Sequence, residues 1–124
     1  MCDFEASFQS EIQPLTGVWD AQFSAVRTKF ESLTLNARSK MIYIGISSSG
    51  KDGCKSRWNA KYKALGLNRM AQLYLTYEDN AEGRVKIENE MGEYFGDVAT
   101  IVKGMSGNGM HPFIVYVAWH EESK

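Results

Sequence analysis

The sequence predicts an α+β domain in which a small antiparallel or mixed sheet of three to four strands is flanked by helices. Three apolar runs with β-forming residues are typical of strands, and the segments between them repeat apolar residues at helical spacing. The strands are expected at 40–47, 70–77 and 113–119, and the main helices at 20–33, 55–65 and 81–95. A chain of 124 residues is of single-domain size, so we expect one domain over residues 1–124.

Composition and cysteine content favour a soluble protein inside the cell. Apolar residues make up 44% of the chain and charged residues 23%, as in ordinary globular proteins. No apolar run approaches the roughly 20 residues of a membrane helix, and the N-terminus lacks the features of a secretory signal. Cys2 and Cys54 have no CxxC partner, which indicates unpaired thiols in a reducing compartment.

The net charge of −1 conceals an asymmetry along the chain. Residues 1–77 carry 10 Lys and Arg against 6 Asp and Glu, whereas residues 78–124 carry 4 against 9. A protein that coats nucleic acid by charge alone would be basic throughout. The pattern instead suits a basic patch beside an acidic centre, as in a metal-dependent enzyme.

The N-terminal third is predicted to contain two helices. Phe4, Phe8 and Ile12 are four residues apart, which predicts a short amphipathic helix over 3–13 that Pro14 ends. After a short β-prone run at 15–19, an apolar stripe begins that predicts a second helix capped by Asp20. A polar connector at 36–40 would then lead into the central strand.

A basic helix is expected after the central strand and a glycine- and serine-rich loop at 47–53. Trp58, Tyr62 and Leu65 form its apolar stripe. Residues 51–63 contain five Lys and Arg residues but only one acidic residue, Asp52. Such a run is usually a solvated helix face, but interleaved aromatic residues also favour contact with nucleic acid. The candidate binding residues are Lys51, Lys55, Lys61, Lys63 and Trp58.

Glu88 is the most informative residue of the helix at 81–95. It lies on a stripe with Ala81, Val85, Met91 and Phe95 that is predicted to face inward. A partly desolvated carboxylate is costly unless it is paired or bound to a cation. Two explanations remain open, an ion pair with a basic residue such as Arg57 and a divalent metal ion.

The C-terminal part ends in a strong strand. Residues 97–102 are compatible with a short helix or a strand, and Asn108-Gly109 marks a turn in a loop at 103–110. The strand at 113–119 is apolar on both faces, which predicts a central or covered position. His111 and His120 match no ligand motif and are interpreted as surface residues, with a frayed tail at 120–124.

Taken together, these elements resemble the GIY-YIG nuclease superfamily over roughly residues 15–103. Tyr43-Ile44-Gly45 matches the YIG element, and Gly17-Val18-Trp19 is similar to a GIY element with tryptophan in place of tyrosine. Arg57 and Glu88 match the family arginine and metal-binding glutamate. The N-terminal helix and the last strand would be additions to that core, and Gly17 and Gly45 its structural glycines.

The resemblance implies metal-assisted hydrolysis of phosphodiester bonds of DNA or RNA, and it favours DNA as the partner. Glu88 would hold Mg2+ or Mn2+, Tyr43 would orient or deprotonate the attacking water, and Arg57 would hold the phosphate. Tyr62 or Lys61 would assist from the same helix, and Trp19 would occupy the site without a hydroxyl. Tyr43 has a simpler explanation too, as a strand aromatic whose hydroxyl finds a buried partner.

Two other functions are compatible with the sequence. Trp19, together with Ile46 where many family members carry lysine, suits a nucleic-acid-binding protein that does not catalyse. The near-neutral charge and the apolar last strand suit a module that self-associates or binds a protein partner. In either case a protein partner or a homo-oligomer could supply specificity.

Overall fold

The computed structural model describes residues 3–47, 50–76, 81–102 and 113–122. Its helices are α1 Phe4–Ser7, α2 Trp19–Leu33, α3 Gly50–Arg57 and α4 Ala81–Phe95, and a π-helix at Trp58–Tyr62 continues α3. Its strands are β1 Ala37–Ser47, β2 Arg69–Thr76, β3 Thr100–Val102 and β4 Phe113–Glu121. Within these ranges, every helix is too short or too polar to cross a membrane.

The four strands form one mixed sheet in the order β2–β4–β1–β3. β4 is antiparallel to both of its neighbours, and β3 is parallel to β1. This confirms the predicted α+β class and the central position of the last strand. β4 is buried along nearly all of its length because helices cover both faces of the sheet.

Side-chain alternation divides the core between the two faces of the sheet. Ile44 and Ile46 of β1 pack with α2 and α4, and this side is called the α2/α4 face. Met41 and Tyr43 lie on the other side with α1, α3 and the π-helix, called the α3 face. The alternation along β1 therefore decides which helices can contribute to a site around Tyr43.

The predicted N-terminal helix over 3–13 is wrong beyond Ser7. Phe8 forms an isolated bridge with Met70, and the amide of Gln9 donates to the Met70 carbonyl at 2.8 Å. Leu15 forms a second bridge, with Tyr74. The segment turns extended because β2 is an edge strand whose free backbone groups need partners.

The region around the central strand also differs from the prediction. Residues 36–40 were predicted as a connector, yet β1 already begins at Ala37, which pairs with Glu121 at the end of β4. The Arg38–Glu122 ion pair, 2.6 Å long, joins the two strands there, so Glu121 and Glu122 are not a frayed tail. α3 begins at Gly50, inside the loop predicted at 47–53.

The bounds of α4 agree with the prediction, and Met91 and Phe95 of the predicted inward stripe are buried, as is Ile87. Val85 was placed in the same stripe but is 57% exposed. The helix is turned so that Ile87 points into the core and Glu88 beside it is only partly buried. The ambiguous segment at 97–102 supplies β3, and the predicted loop with Asn108 and His111 lies outside the described residues.

Candidate functional site

Tyr43 contacts the helical segment that follows β1. The centroids of the Tyr43 and Tyr62 rings are 5.5 Å apart. The Lys61 ammonium lies 5.6 Å from the centroid of the Tyr43 ring, a cation–π contact. Tyr43 and Lys61 are partly exposed. The strand and the segment after α3 thus bring an aromatic hydroxyl and a cation together at the surface.

The π-helix decides which side chain accompanies Arg57. The Lys63 amide donates a hydrogen bond of 2.9 Å to the Trp58 carbonyl, five residues earlier, which is the spacing of a π-helix. On an α-helix of 3.6 residues per turn, Tyr62 would point well away from Arg57, since it is five residues further on. The wider turn brings Tyr62 back to the side of Arg57, one turn along.

Tyr62 forms a buried hydroxyl pair with Tyr116 of β4. Their oxygens are 2.7 Å apart, and the residues are 0% and 1% exposed. Burial raises the pKa of Tyr116 to about 12 and raises the pKa of Tyr62 further, and each pKa is lowered in part by the positive charge of Arg57. Both phenols therefore stay protonated at neutral pH, and the Arg57 guanidinium lies within electrostatic reach of both.

Gly45 makes room for this pair. It lies opposite Tyr116 in the β1–β4 ladder, and a Cβ atom at Gly45 would be 2.5 Å from the Tyr116 hydroxyl. A side chain there would displace the phenol from Tyr62. The glycine of the Tyr43-Ile44-Gly45 element is thus explained by packing of a tyrosine against β1. Tyr43, Arg57, Lys61, Tyr62 and Tyr116 are called the tyrosine cluster below.

Tyr116 is the member of the cluster that sequence reasoning missed. The predicted GIY-like element, Gly17-Val18-Trp19, is not a strand beside β1, since Trp19 begins α2. Trp19 is buried on the α2/α4 face, where its indole donates to the Glu90 carboxylate at 2.7 Å. β4 pairs with β1 instead, and its Ile114-Val115-Tyr116 sequence ends in a tyrosine, the one signal that could have revealed it.

Glu88 lies apart from the packing of the tyrosine cluster, on a helix whose buried residues belong to the α2/α4 face. Among side chains that the structure describes, it forms no ion pair, neither with Arg57 nor with another cation. The described residues also contain no group of three or more His, Cys, Asp or Glu side chains suited to a metal ion. Glu88 therefore fits only a cation held by one carboxylate, water and substrate phosphates, a common arrangement for Mg2+.

The predicted nucleic-acid-binding residues divide into three groups. Lys61 lies in the tyrosine cluster. Lys55 pairs with Glu5 at 3.2 Å, Lys63 pairs with Asp3 at 3.4 Å, and Lys51 lies over the ring of Phe8. Trp58 is fully buried in the core of the α3 face, so its ring could stack on a base only if the π-helix opened.

Replacing Gly45 by alanine is expected to lower the free energy of unfolding by about 1–3 kcal/mol, because the added methyl group overpacks the contact with Tyr116. Denaturant unfolding would measure the loss. Gly92→Ala is the matched control, since nothing lies within 4 Å of a Cβ there and α4 should gain up to about 1 kcal/mol. Equal unfolding midpoints for wild type and Gly45→Ala would contradict the packing role.

The tyrosine cluster places one planar guanidinium, one ammonium and the partly exposed phenol of Tyr43 on the α3 face, above the buried Tyr62–Tyr116 pair. Guanidinium and ammonium groups bind phosphate oxygens, and an accessible phenol can donate a hydrogen bond to the same oxygens. The arrangement is therefore suited to a phosphate ester. Comparison with known proteins adds no assignment, since no protein-family model, no curated protein and no solved structure matches the chain.

Proposed function

We propose that the chain is a divergent GIY-YIG-type endonuclease that hydrolyses phosphodiester bonds of DNA or RNA. One observation carries the proposal. Tyr43 of β1 and Tyr116 of β4 lie beside the π-helix residues Tyr62 and Lys61 on the α3 face, and the positive charge of Arg57 reaches both Tyr62 and Tyr116. The family's first element would place a second tyrosine on a strand beside Tyr43-Ile44-Gly45. In this chain Tyr116 of β4 has that position, whereas Trp19 begins α2.

Each member of the tyrosine cluster has a distinct task in this proposal. Arg57 holds a non-bridging phosphate oxygen and stabilises the charge that develops on it, and Lys61 adds a second positive charge. Tyr43, the partly exposed phenol, orients the attacking water. Tyr62 and Tyr116 are buried and protonated and bond to each other, so they support the site from below: the Tyr62 ring packs beside Tyr43, and both phenols lie within electrostatic reach of Arg57.

Glu88 is the residue that would hold the divalent cation in this proposal. Mg2+ or Mn2+, when bound with the substrate, supplies charge neutralisation at the leaving oxygen. The carboxylate of Glu88 suits this because it is partly buried and has no ion-pair partner among the described side chains. Glu88 is the residue to test first, because its helix packs on the α2/α4 face whereas Tyr43 packs on the α3 face.

A second candidate function is binding of nucleic acid without cleavage. It is favoured by one specific observation, the location of Glu88 on a helix of the α2/α4 face while Tyr43 packs on the α3 face. None of the five residues that define the tyrosine cluster is acidic. Arg57 and Lys61 would then bind phosphates as in the first proposal, and the bond would stay intact.

A cleavage assay on plasmid, single-stranded DNA and RNA separates the two functions. With Mg2+ or Mn2+, wild type is expected to cleave, and Glu88→Gln should lose this activity because an amide cannot replace the charged ligand. Glu93→Gln is the matched control, since Glu93 is an exposed residue of the same helix. It should cleave like wild type.

The possible results have different meanings. Equal cleavage by wild type and Glu88→Gln would contradict the metal-binding role of Glu88. Binding of DNA by wild type without cleavage in either metal would establish the second candidate. If the wild type neither bound nor cleaved nucleic acid at low salt, both functions would be ruled out.

A further inference from the structure

The first described residues of the chain form an acidic segment against α3 and the π-helix. Residues 3–8, called the acidic segment, contain Asp3 and Glu5, whose side chains are exposed. Glu5 pairs with Lys55 and Asp3 pairs with Lys63. The pKa of the Glu5 carboxyl is lowered from its usual value, first by a hydrogen bond to its own backbone and then by the hydrogen bond with Lys55. The segment thus neutralises two of the cations that the sequence assigns to nucleic acid.

The acidic segment is anchored by its apolar residues. Phe4 and Phe8 are buried in the core of the α3 face, and the amide of Gln9 donates to β2. Lys51 lies over the Phe8 ring at 5.1 Å. A cavity of about 470 Å³ separates the segment from α3 and is lined by Phe4, Glu5, Phe8, Ser10, Lys51, Asp52 and Lys55. The two carboxylates are thereby held next to the lysines while remaining in solvent.

We propose that the acidic segment is a built-in competitor of nucleic acid, in which Asp3 and Glu5 occupy the lysine positions that phosphate groups would take. This inference rests on the proposed function, since it concerns the same basic surface. Exposed ion pairs are weak and are screened by salt, so a polyanion can replace them. Only the side chains exchange, because Phe4 and Phe8 keep the backbone in place.

The inference predicts how the binding surface changes. In the resting protein, Arg57 and Lys61 form no ion pair among the described residues, and neither does Lys51, which lies over the Phe8 ring. When the carboxylates are displaced, Lys55 and Lys63 extend this surface along α3 and the π-helix. The protein should therefore bind weak or short ligands less well than long ones, because each phosphate must displace a carboxylate before it can bind a lysine.

The test compares two double variants with the same change of net charge. Asp3→Asn with Glu5→Gln removes the competitor, and Glu31→Gln with Glu93→Gln removes two exposed carboxylates from α2 and α4. Binding of a short labelled DNA duplex is measured in metal-free buffer over a range of salt concentrations. The first variant should bind several-fold more tightly than the second, with a salt slope steeper by roughly 1–2 units.

The outcomes separate the inference from the proposed function. Equal affinity and equal salt slope for the two double variants, with wild type binding DNA, would overturn the competitor and leave the proposed function intact. No binding by wild type or by either variant at low salt would overturn the proposed function and the inference with it. Circular dichroism of both variants verifies the fold, which these exposed side chains should not affect.

Discussion

Arg57→Ala is expected to reduce metal-dependent cleavage by about 10²–10³-fold, the usual cost of losing one donor that stabilises a developing oxyanion. Arg57 is the only guanidinium of the tyrosine cluster, and the Tyr62–Tyr116 pair within its electrostatic reach is buried. Single-turnover rates with saturating enzyme would measure the effect on the chemical step. Because the proposed role of Arg57 is to stabilise charge that develops during the reaction, its loss should lower the rate of cleavage more than the affinity for DNA.

Two companion variants make this result specific. Arg57→Lys keeps the charge but loses the planar fork, so it should recover only part of the rate. Arg27→Ala removes one positive charge from α2, where the guanidinium lies over Tyr94, and should leave cleavage unchanged. Equal rates for Arg57→Ala and Arg27→Ala would contradict a specific role of Arg57 in the site.

Trp58→Ala is expected to lower the free energy of unfolding by about 3–5 kcal/mol, as for other large aromatic residues removed from a core. Trp58 is 0% exposed, and its carbonyl accepts the hydrogen bond that closes the π-helix. The cavity left by the indole would also loosen Tyr62, whose ring lies 6.4 Å from it, centroid to centroid. Equilibrium unfolding in urea, followed by circular dichroism, measures this effect.

Leu65→Ala is the control for this prediction. The sequence assigns Trp58 and Leu65 to one apolar stripe, yet Leu65 is 43% exposed. Its replacement should change stability by no more than about 0.5 kcal/mol. If Trp58→Ala instead kept wild-type stability and weakened DNA binding, the tryptophan would be a nucleic-acid contact, as the sequence suggested.

The features that the sequence predicted are those carried by local pattern. The apolar run at 113–119 gave the central strand, and the stripe at 81–95 gave the bounds of α4. Both depend on residues close together in the chain, for which spacing is informative. The strand and the helix that carry Tyr43 and Arg57 were predicted in the same way. The two residues themselves were chosen from the resemblance to the GIY-YIG superfamily, and their site roles stay predictions.

The remaining features depend on long-range pairing or on small changes in helical winding. Tyr116 joins the site through strand pairing across 71 residues, which a single sequence does not reveal, since Gly45 lies opposite it only in the folded sheet. The π-helix at Trp58–Tyr62 adds one residue to a turn, whereas helical spacing in the sequence predicted a regular helix over 55–65. Val85 was misplaced because Ile87 and Met91 define a competing stripe on the same helix.

The central position of β4 has a consequence for how the protein forms during synthesis. β1 and β2 leave the ribosome first, but they do not touch in the sheet, because β4 lies between them. Until β4 has been synthesised, both strands present unpaired backbone groups and apolar faces. The sheet is therefore expected to be completed only after residue 121 has been synthesised, because β4 alone joins β2 to β1.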